Sequence, residues 1–207
     1  MDSLDRLLDK INIFFREKRD YLLGPIIKFL NKMGISANFL SLSKIFFTVI
    51  YLLLIKNNFN LAVLFLLLGG ILPDFFDGPL ARYNKQDNDR GKFIDIFSDQ
   101  IVYMLAIWGL MIIKISSPLI LSYNIIIVGT FYLLAIIKKN ENKKSDWIIK
   151  PSAKSNYYKS IFEISIILHL FLGMQESTFN TIIIVLNVII TIHFLYYLIK
   201  FAHKKYI

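Results

Sequence analysis

Four aspartates draw attention by type and spacing: Asp74, Asp77, Asp95 and Asp99, in the segment PDFFDGPLARYNKQDNDRGKFIDIFSDQ at residues 73–100. Asp74, Asp77, Gly78, Ala81 and Arg82 lie at i, i+3, i+4, i+7 and i+8, a spacing that stacks them on one face of a helix. Gly91, Asp95 and Asp99 lie at i, i+4 and i+8 and share a face of a second helix. Two neighbouring antiparallel helices can therefore aim four carboxylates at a common point. Ionised carboxylates that close repel one another and resist desolvation, and divalent cations relieve both costs. A ligand set of oxygens alone, without His or Cys, suits Mg²⁺ or Mn²⁺, with Ca²⁺ a further option, over zinc. A pair of such ions can clamp a diphosphate and neutralise charge on a leaving phosphate. Glycine at 78 and 91 removes side chains where a flat base or a phosphate must approach. Arg82 adds a planar fork matched to phosphate oxygens.

Acidic residues in a polar connection are ordinarily just solvated, and Asp87 and Asp89 read that way. Asp74 and Asp77, however, follow the apolar run LAVLFLLLGGILP, and Asp95 and Asp99 are embedded in FIDIFSDQIVYML. Ionisable side chains in such surroundings are costly and mark function.

The elements that must position them are membrane helices. Of the 207 residues 56% are hydrophobic, in runs that approach the roughly 20 residues needed to cross a bilayer. The expectation is an all-α polytopic membrane protein with six spans near 37–55, 59–82, 92–113, 117–137, 160–174 and 178–200. Residues 1–35 read as a juxtamembrane segment and 36–207 as a single six-span domain. Residues 1–20 lack the continuous apolar core of a cleavable signal peptide. Leu4, Leu7, Leu8, Ile11, Phe14 and Phe15 instead follow helical spacing, with Asp5, Arg6, Lys10, Arg16 and Lys18 mostly on the other side. That pattern describes an amphipathic helix at the membrane surface, a helix packed on a partner domain being the alternative. Gly24-Pro25 and Gly34 punctuate the approach to the first span.

With 24 Lys+Arg against 15 Asp+Glu the formal charge is +9. Each basic cluster adjoins a span, so the excess reads as basic loops and contact with anionic lipid, not nucleic-acid binding. The clusters lie before the first span (Arg6 to Lys32), at the second connection (Arg82, Lys85, Arg90, Lys92), at the fourth (Lys138 to Lys159) and at the end (Lys200, Lys204, Lys205). The opposite connections hold little beyond Lys56 and Lys114. Positive charge marks the cytoplasmic side, so both termini and the aspartate segment face the cytoplasm of an inner or cell membrane, and the span number is even. Cysteine is absent, which excludes thiolate catalysis and Cys-based metal sites.

The aspartate segment resembles the signature of the CDP-alcohol phosphotransferase family, Asp-x2-Asp-Gly-x2-Ala-Arg-x8-Gly-x3-Asp-x3-Asp. Asp74, Asp77, Gly78, Ala81, Arg82, Gly91, Asp95 and Asp99 fill all eight fixed positions. The resemblance implies Asp74, Asp77 and Asp95 as ligands of two Mg²⁺ or Mn²⁺ ions, and Asp99 as both a ligand and the base that takes a proton from the acceptor hydroxyl. It implies that Gly78, Ala81, Arg82 and Gly91 hold the cytidine diphosphate, that the acceptor attacks the phosphate distal to cytidine with release of CMP, and that the protein is a homodimer. The leading reading is transfer of a phosphatidyl-type group from CDP-diacylglycerol, or an ether-lipid equivalent, to a small polar alcohol such as a polyol phosphate. The rival within the family is transfer of a phospho-head group from a CDP-head-group donor to a lipid alcohol. A divalent-cation transporter is the rival from another class, disfavoured because the aspartates sit toward one face and no half-repeat is visible.

The acceptor is less legible. Lys150, Lys154 and Lys159 are candidates for a phosphorylated acceptor or are ordinary positive-inside residues. The run Lys159-Ser160-Ile161-Phe162-Glu163 faintly resembles the Lys-Thr-x2-Gln stretch of glycerophosphate-using members, with Asn156-Tyr157 in place of the preceding Gly-Lys. Glu163 either pairs with a lysine or meets the acceptor. His169 and His193 read as hydrogen-bonding residues of the bundle interior. Lys44, after Asn38 and Ser41, either snorkels to the interface or faces the cavity.

Overall fold

The structure, a computed structural model, describes residues 3–85, 88–140 and 153–202, and every regular element among them is helical. The helices are α1 (Ser3–Lys32), α2 (Ala37–Leu54), α3 (Phe59–Phe65), α4 (Asp77–Tyr83), α5 (Asp89–Ile112), α6 (Pro118–Asn140), α7 (Ala153–Leu172) and α8 (Glu176–Ala202). They form two compact units, Met1–Ile113 and Lys114–Ile207.

Among the described residues four stretches are long and apolar enough to cross a bilayer: Ala37–Leu54, Phe59–Tyr83, Arg90–Ile112 and Glu176–Ile199. This is an integral membrane protein. The apolar parts of α6 and α7 are shorter, Pro118–Leu134 and Ser160–Leu172. Lys138 and Lys139 occupy the last turn of α6, and Lys154 and Lys159 the first turns of α7.

In the first unit α2 packs against both α3 and α5. It opens at Ser36, whose hydroxyl accepts from the Phe39 amide at 3.2 Å and satisfies one of the free N–H groups of the first turn. The buried side of α2 is its polar one: Ser41, Lys44, Thr48 and Tyr51 are enclosed, while Phe39, Leu42, Phe46, Val49 and Leu53 are exposed. Such inversion suits a helix whose outer face meets lipid and whose inner face meets other helices. Glycines bring these helices into close contact. A Cβ on Gly109 would lie 2.1 Å from the Tyr51 hydroxyl, and one on Gly69 would lie 2.1 Å from the Phe47 Cβ. The Tyr51 hydroxyl donates to the Ala106 carbonyl at 3.1 Å. Gly109→Ala is therefore expected to push Tyr51 out of a buried hydrogen bond and cost about 1–3 kcal/mol. A thermal midpoint in detergent equal to that of the parent protein would contradict this packing.

Two features depart from the sequence-based expectation. The segment from Phe59 to Tyr83 is not one continuous helix. After α3 it widens into an i→i+5 turn at Leu66–Ile71, tightens into an i→i+3 turn at Leu72–Phe75, and resumes as α4. Gly69-Gly70 gives the widened turn its weak helical preference, and Pro73 withholds an N–H from the ladder. Asp74 thus sits on the tight turn and Asp77 opens α4, so the two carboxylates are not on one straight helical face. The second departure is α1, which runs through Gly24-Pro25 without a break. Around that point Leu23, Ile27 and Leu30 pack with Ala37, Leu40, Leu80 and Ala81, and this packing carries the helix past the proline. The chain turns at Gly34, whose φ of +73° lies in the left-handed region that glycine tolerates.

The second unit holds α6, α7 and α8, joined by polar contacts of the kind that tie helices in lipid. Buried Asn124 donates through Nδ2 to Asn187 Oδ1 at 2.6 Å, and Asn187 Nδ2 donates to the Ile120 carbonyl at 3.2 Å.

Candidate active site

Four elements of the first unit converge. The tight turn brings Asp74 and α4 brings Asp77. From α5, which is capped where Asn88 Oδ1 accepts the Gly91 amide at 2.9 Å, come Asp95 and Asp99, one turn apart. From α2 comes Lys44, whose side chain is 0% exposed. Its Nζ lies 3.1 Å from Asp77 Oδ2, 3.2 Å from Asp95 Oδ1 and 2.6 Å from Asp99 Oδ1, and it also pairs with Asp74 Oδ1. The four aspartates that spacing singled out are thus gathered around one ammonium.

Carboxylate oxygens of Asp74, Asp95 and Asp99 all lie within 4.8 Å of one another. A divalent ion with oxygen ligands at about 2.0–2.6 Å can reach such a set, so these residues fit a hard cation. Asp77 differs. Its Oδ1 accepts the Gly78 amide at 2.6 Å and its Oδ2 accepts from the Ser41 hydroxyl at 3.1 Å as well as from Lys44. It is also the most enclosed of the four, at 7% side-chain exposure against 19% for Asp99, 36% for Asp74 and 45% for Asp95.

Beside this cluster Arg82 is engaged by Asp20 of α1, with Nε donating to Oδ2 at 2.7 Å and Nη2 to Oδ1 at 2.6 Å. Arg19 stands next to it. A Cβ on Gly78 would lie 3.4 Å from both Arg19 Nη2 and Arg82 Nη1, so two guanidinium groups lean over the glycine. Burial, together with the neighbouring Arg82 charge, lowers the Arg19 pKa from its ordinary value. Ala81 packs against the cluster of Ile27, Ala37 and Leu80, and Gly91 lies in the first turn of α5.

The CDP-alcohol phosphatidyltransferase family model matches residues 34–193, most of the chain. The protein belongs to that family. Comparison with curated proteins and with solved structures gives no match. CDP-alcohol phosphatidyltransferases move a phosphatidyl group from a CDP-alcohol donor and use divalent metal, a chemistry to which the oxygen-only cluster conforms.

The candidate acceptor residues of this CDP-alcohol phosphatidyltransferase belong to the second unit. Lys154 and Lys159 lie in the first turns of α7, Glu163 is half-buried further along it, and Lys150 and the Lys-rich run before it fall outside the described residues. His169 Nδ1 is 2.7 Å from the Met174 carbonyl, with its ring stacked on Phe179 at 4.8 Å. His193 Nδ1 is 2.8 Å from the Tyr158 hydroxyl. Both histidines are half-buried and make their contacts within the second unit.

Lys44, Ser41, Arg19 and Asp20 escaped the spacing argument. For Lys44 a signal existed: Ser41, Lys44, Thr48 and Tyr51 recur every three or four residues along an otherwise apolar run. Asp20 gave none, since its partner Arg82 is 62 residues away.

Proposed function

We propose that this enzyme transfers a phosphatidyl-type group from CDP-diacylglycerol, or an ether-lipid equivalent, to the hydroxyl of a small polar alcohol such as a polyol phosphate. The observation that carries the reading is the convergence of Asp74, Asp77, Asp95 and Asp99 on one point at the Asp74–Asp99 signature. In this reading Asp74, Asp95 and Asp99 hold an Mg²⁺ or Mn²⁺ ion, and Asp77 joins them for a second. When bound, the ions neutralise the diphosphate and the charge that builds on the departing CMP. The acceptor oxygen forms a bond to the phosphorus distal to cytidine, the bond from that phosphorus to CMP breaks, and the acceptor proton passes to the Asp99 carboxylate. Nearness of that carboxylate to the hydroxyl matters more than its free pKa. Gly78 and Gly91 leave room for the cytidine diphosphate. The guanidinium groups of Arg82 and Arg19 over Gly78 supply forks for its phosphates, with Asp20 holding Arg82 in place. Ala81 keeps α4 thin on the side that meets α1 and α2.

The same reading sets the protein in its membrane. Helices α6 and α7, at 23 and 20 residues, reach about 30 Å or more and complete six spans within a single domain from residue 36 onward. The family match, which begins at residue 34 and runs through both units, supports that domain. The exposed Ile11, Phe14, Phe15 and Leu22 of α1, with Lys18 over the Phe14 ring at 4.7 Å, suit a helix lying at the lipid surface. The loop charges support a cytoplasmic active site and termini, and the resemblance supports a homodimer.

The test is purified protein with labelled CDP-diacylglycerol, Mn²⁺ and a panel of alcohols including glycerol phosphate, inositol phosphate and serine. Mn²⁺-dependent release of CMP with one of them is the expected result. CMP release seen only with CDP-head-group donors and a lipid alcohol overturns the donor assignment. Mn²⁺ flux into proteoliposomes with no CMP release from any mixture would favour a transporter.

A further inference from the structure

We propose that the Lys44 ammonium competes with a divalent ion for the carboxylates of Asp74, Asp95 and Asp99, holding the cluster together until metal displaces it. The inference rests on the metal-binding reading above and assigns Lys44 as a positioning residue of the site.

The first ground is position. Nζ stands 3.2 Å from Asp95 Oδ1 and 2.6 Å from Asp99 Oδ1 and also pairs with Asp74 Oδ1, and these three aspartates supply the oxygens grouped within 4.8 Å. An ion bound to those oxygens at roughly 2.0–2.6 Å needs the same small volume. Two cations there would face each other with no oxygen between them, so one must leave.

The second ground is burial. The Lys44 side chain has no exposure to solvent, on a helix whose outer face is phenylalanine, leucine and valine. A lysine reaching for the membrane interface would show an exposed head. This one is directed inward along the polar stripe of α2, above Thr48, whose hydroxyl donates to the Lys44 carbonyl at 2.7 Å. A buried ammonium is tolerated only where partners repay its desolvation, and four carboxylates do so. Conversely, four carboxylates left without any cation would repel one another across the meeting of α2, α4 and α5.

The third ground is that the displaced group has an anchor. Asp77 Oδ2 lies outside the group of three, accepts from Ser41 and is 3.1 Å from Nζ. While the ion held by Asp74, Asp95 and Asp99 is the one bound, a rotation of the flexible lysine stem can keep this contact and give up the others. The ammonium then stays beside the site as a fixed positive charge.

Lys44→Met removes the charge and keeps much of the stem. The measurement is Mn²⁺ binding to detergent-solubilised full-length protein by calorimetry, with thermal unfolding in chelator and in saturating Mn²⁺. The competitor removed, Mn²⁺ is expected to bind Lys44→Met at least about tenfold more tightly than the parent. In chelator the variant is expected to unfold on the order of 10 °C below the parent, and saturating Mn²⁺ should close most of that gap. A purely structural lysine would lower both midpoints equally and leave Mn²⁺ affinity unchanged. Unchanged or weaker Mn²⁺ affinity overturns the proposal, including the case in which only CDP-donor binding falls. Lys44→Gln, which keeps a polar head without charge, is expected to behave like Lys44→Met. Failure to recover either variant even when Mn²⁺ is present throughout purification also overturns it, since the metal should replace the missing charge. If the parent protein itself binds no Mn²⁺, the metal-binding reading fails instead.

Discussion

Asp99→Asn is expected to reduce CMP release on the order of 10³-fold or more even at Mn²⁺ concentrations high enough to make up for the weakened ligand and restore CDP-donor binding. The substitution is nearly isosteric. It retains an oxygen at the position that lies 2.6 Å from Lys44 Nζ, so the local packing of α5 against α2 survives. What the amide cannot do is accept the acceptor's proton. Asp99 suits that task because it is partly sheltered, at 19% side-chain exposure, while still reachable from solvent. Asp77, at 7% and already accepting from Gly78, Ser41 and Lys44, is a poorer candidate. Two measurements decide the matter: CMP release under saturating Mn²⁺, and Mn²⁺-dependent donor binding by the same preparation. Retained turnover would remove Asp99 from the role of base. Loss of metal and donor binding in step with turnover would make it chiefly a ligand.

The aspartates were legible because a motif of fixed spacing constrains helices that pack as neighbours, and Asp95 and Asp99 at i and i+4 reach the site as a regular helix requires. Asp74 and Asp77 reach it by another route. Their spacing of three suggests a continuous helix, yet the backbone there widens at Gly69-Gly70 and tightens through Pro73. Gly69-Gly70 and Pro73 permit such a change of register, but that the two glycines also lie close against Phe47 and Thr48 of α2 is a tertiary contact that no window of sequence displays. Gly24-Pro25 misled for a similar reason, since the packing of Leu23, Ile27 and Leu30 outweighs the lost hydrogen bond. Lys44 is the instructive case. Its polar periodicity with Ser41, Thr48 and Tyr51 was readable, but whether an isolated lysine in an apolar run points outward to the interface or inward to carboxylates is decided by the other helices. The pairing of Arg82 with Asp20 lies further out of reach, because it ties α1 to α4 across most of the first unit's sequence.

Asp95→Asn should fail differently from Asp99→Asn, and the contrast separates ligand from base. Asp95 has the most exposed side chain of the four at 45%, and α5 is held in the unit by the buried Val102, Tyr103, Ala106, Ile107 and Leu110 further along, so the fold should tolerate the change. The oxygen it contributes is one of the three grouped within 4.8 Å. Replacing a charged ligand by an amide should weaken Mn²⁺ binding by at least about 100-fold, given that outer partners alone are worth 10–100-fold. At limiting Mn²⁺ the rate of CMP release should fall by a similar factor. Because the proton acceptor is untouched, raising Mn²⁺ should restore a large part of the rate in Asp95→Asn and none of it in Asp99→Asn. A Mn²⁺ titration of CMP release on the two variants side by side reads this directly. If neither responds to Mn²⁺, Asp95 contributes more than a ligand. If both do, the proton is taken by some other group, and Asp99 joins Asp74 and Asp95 as a ligand only.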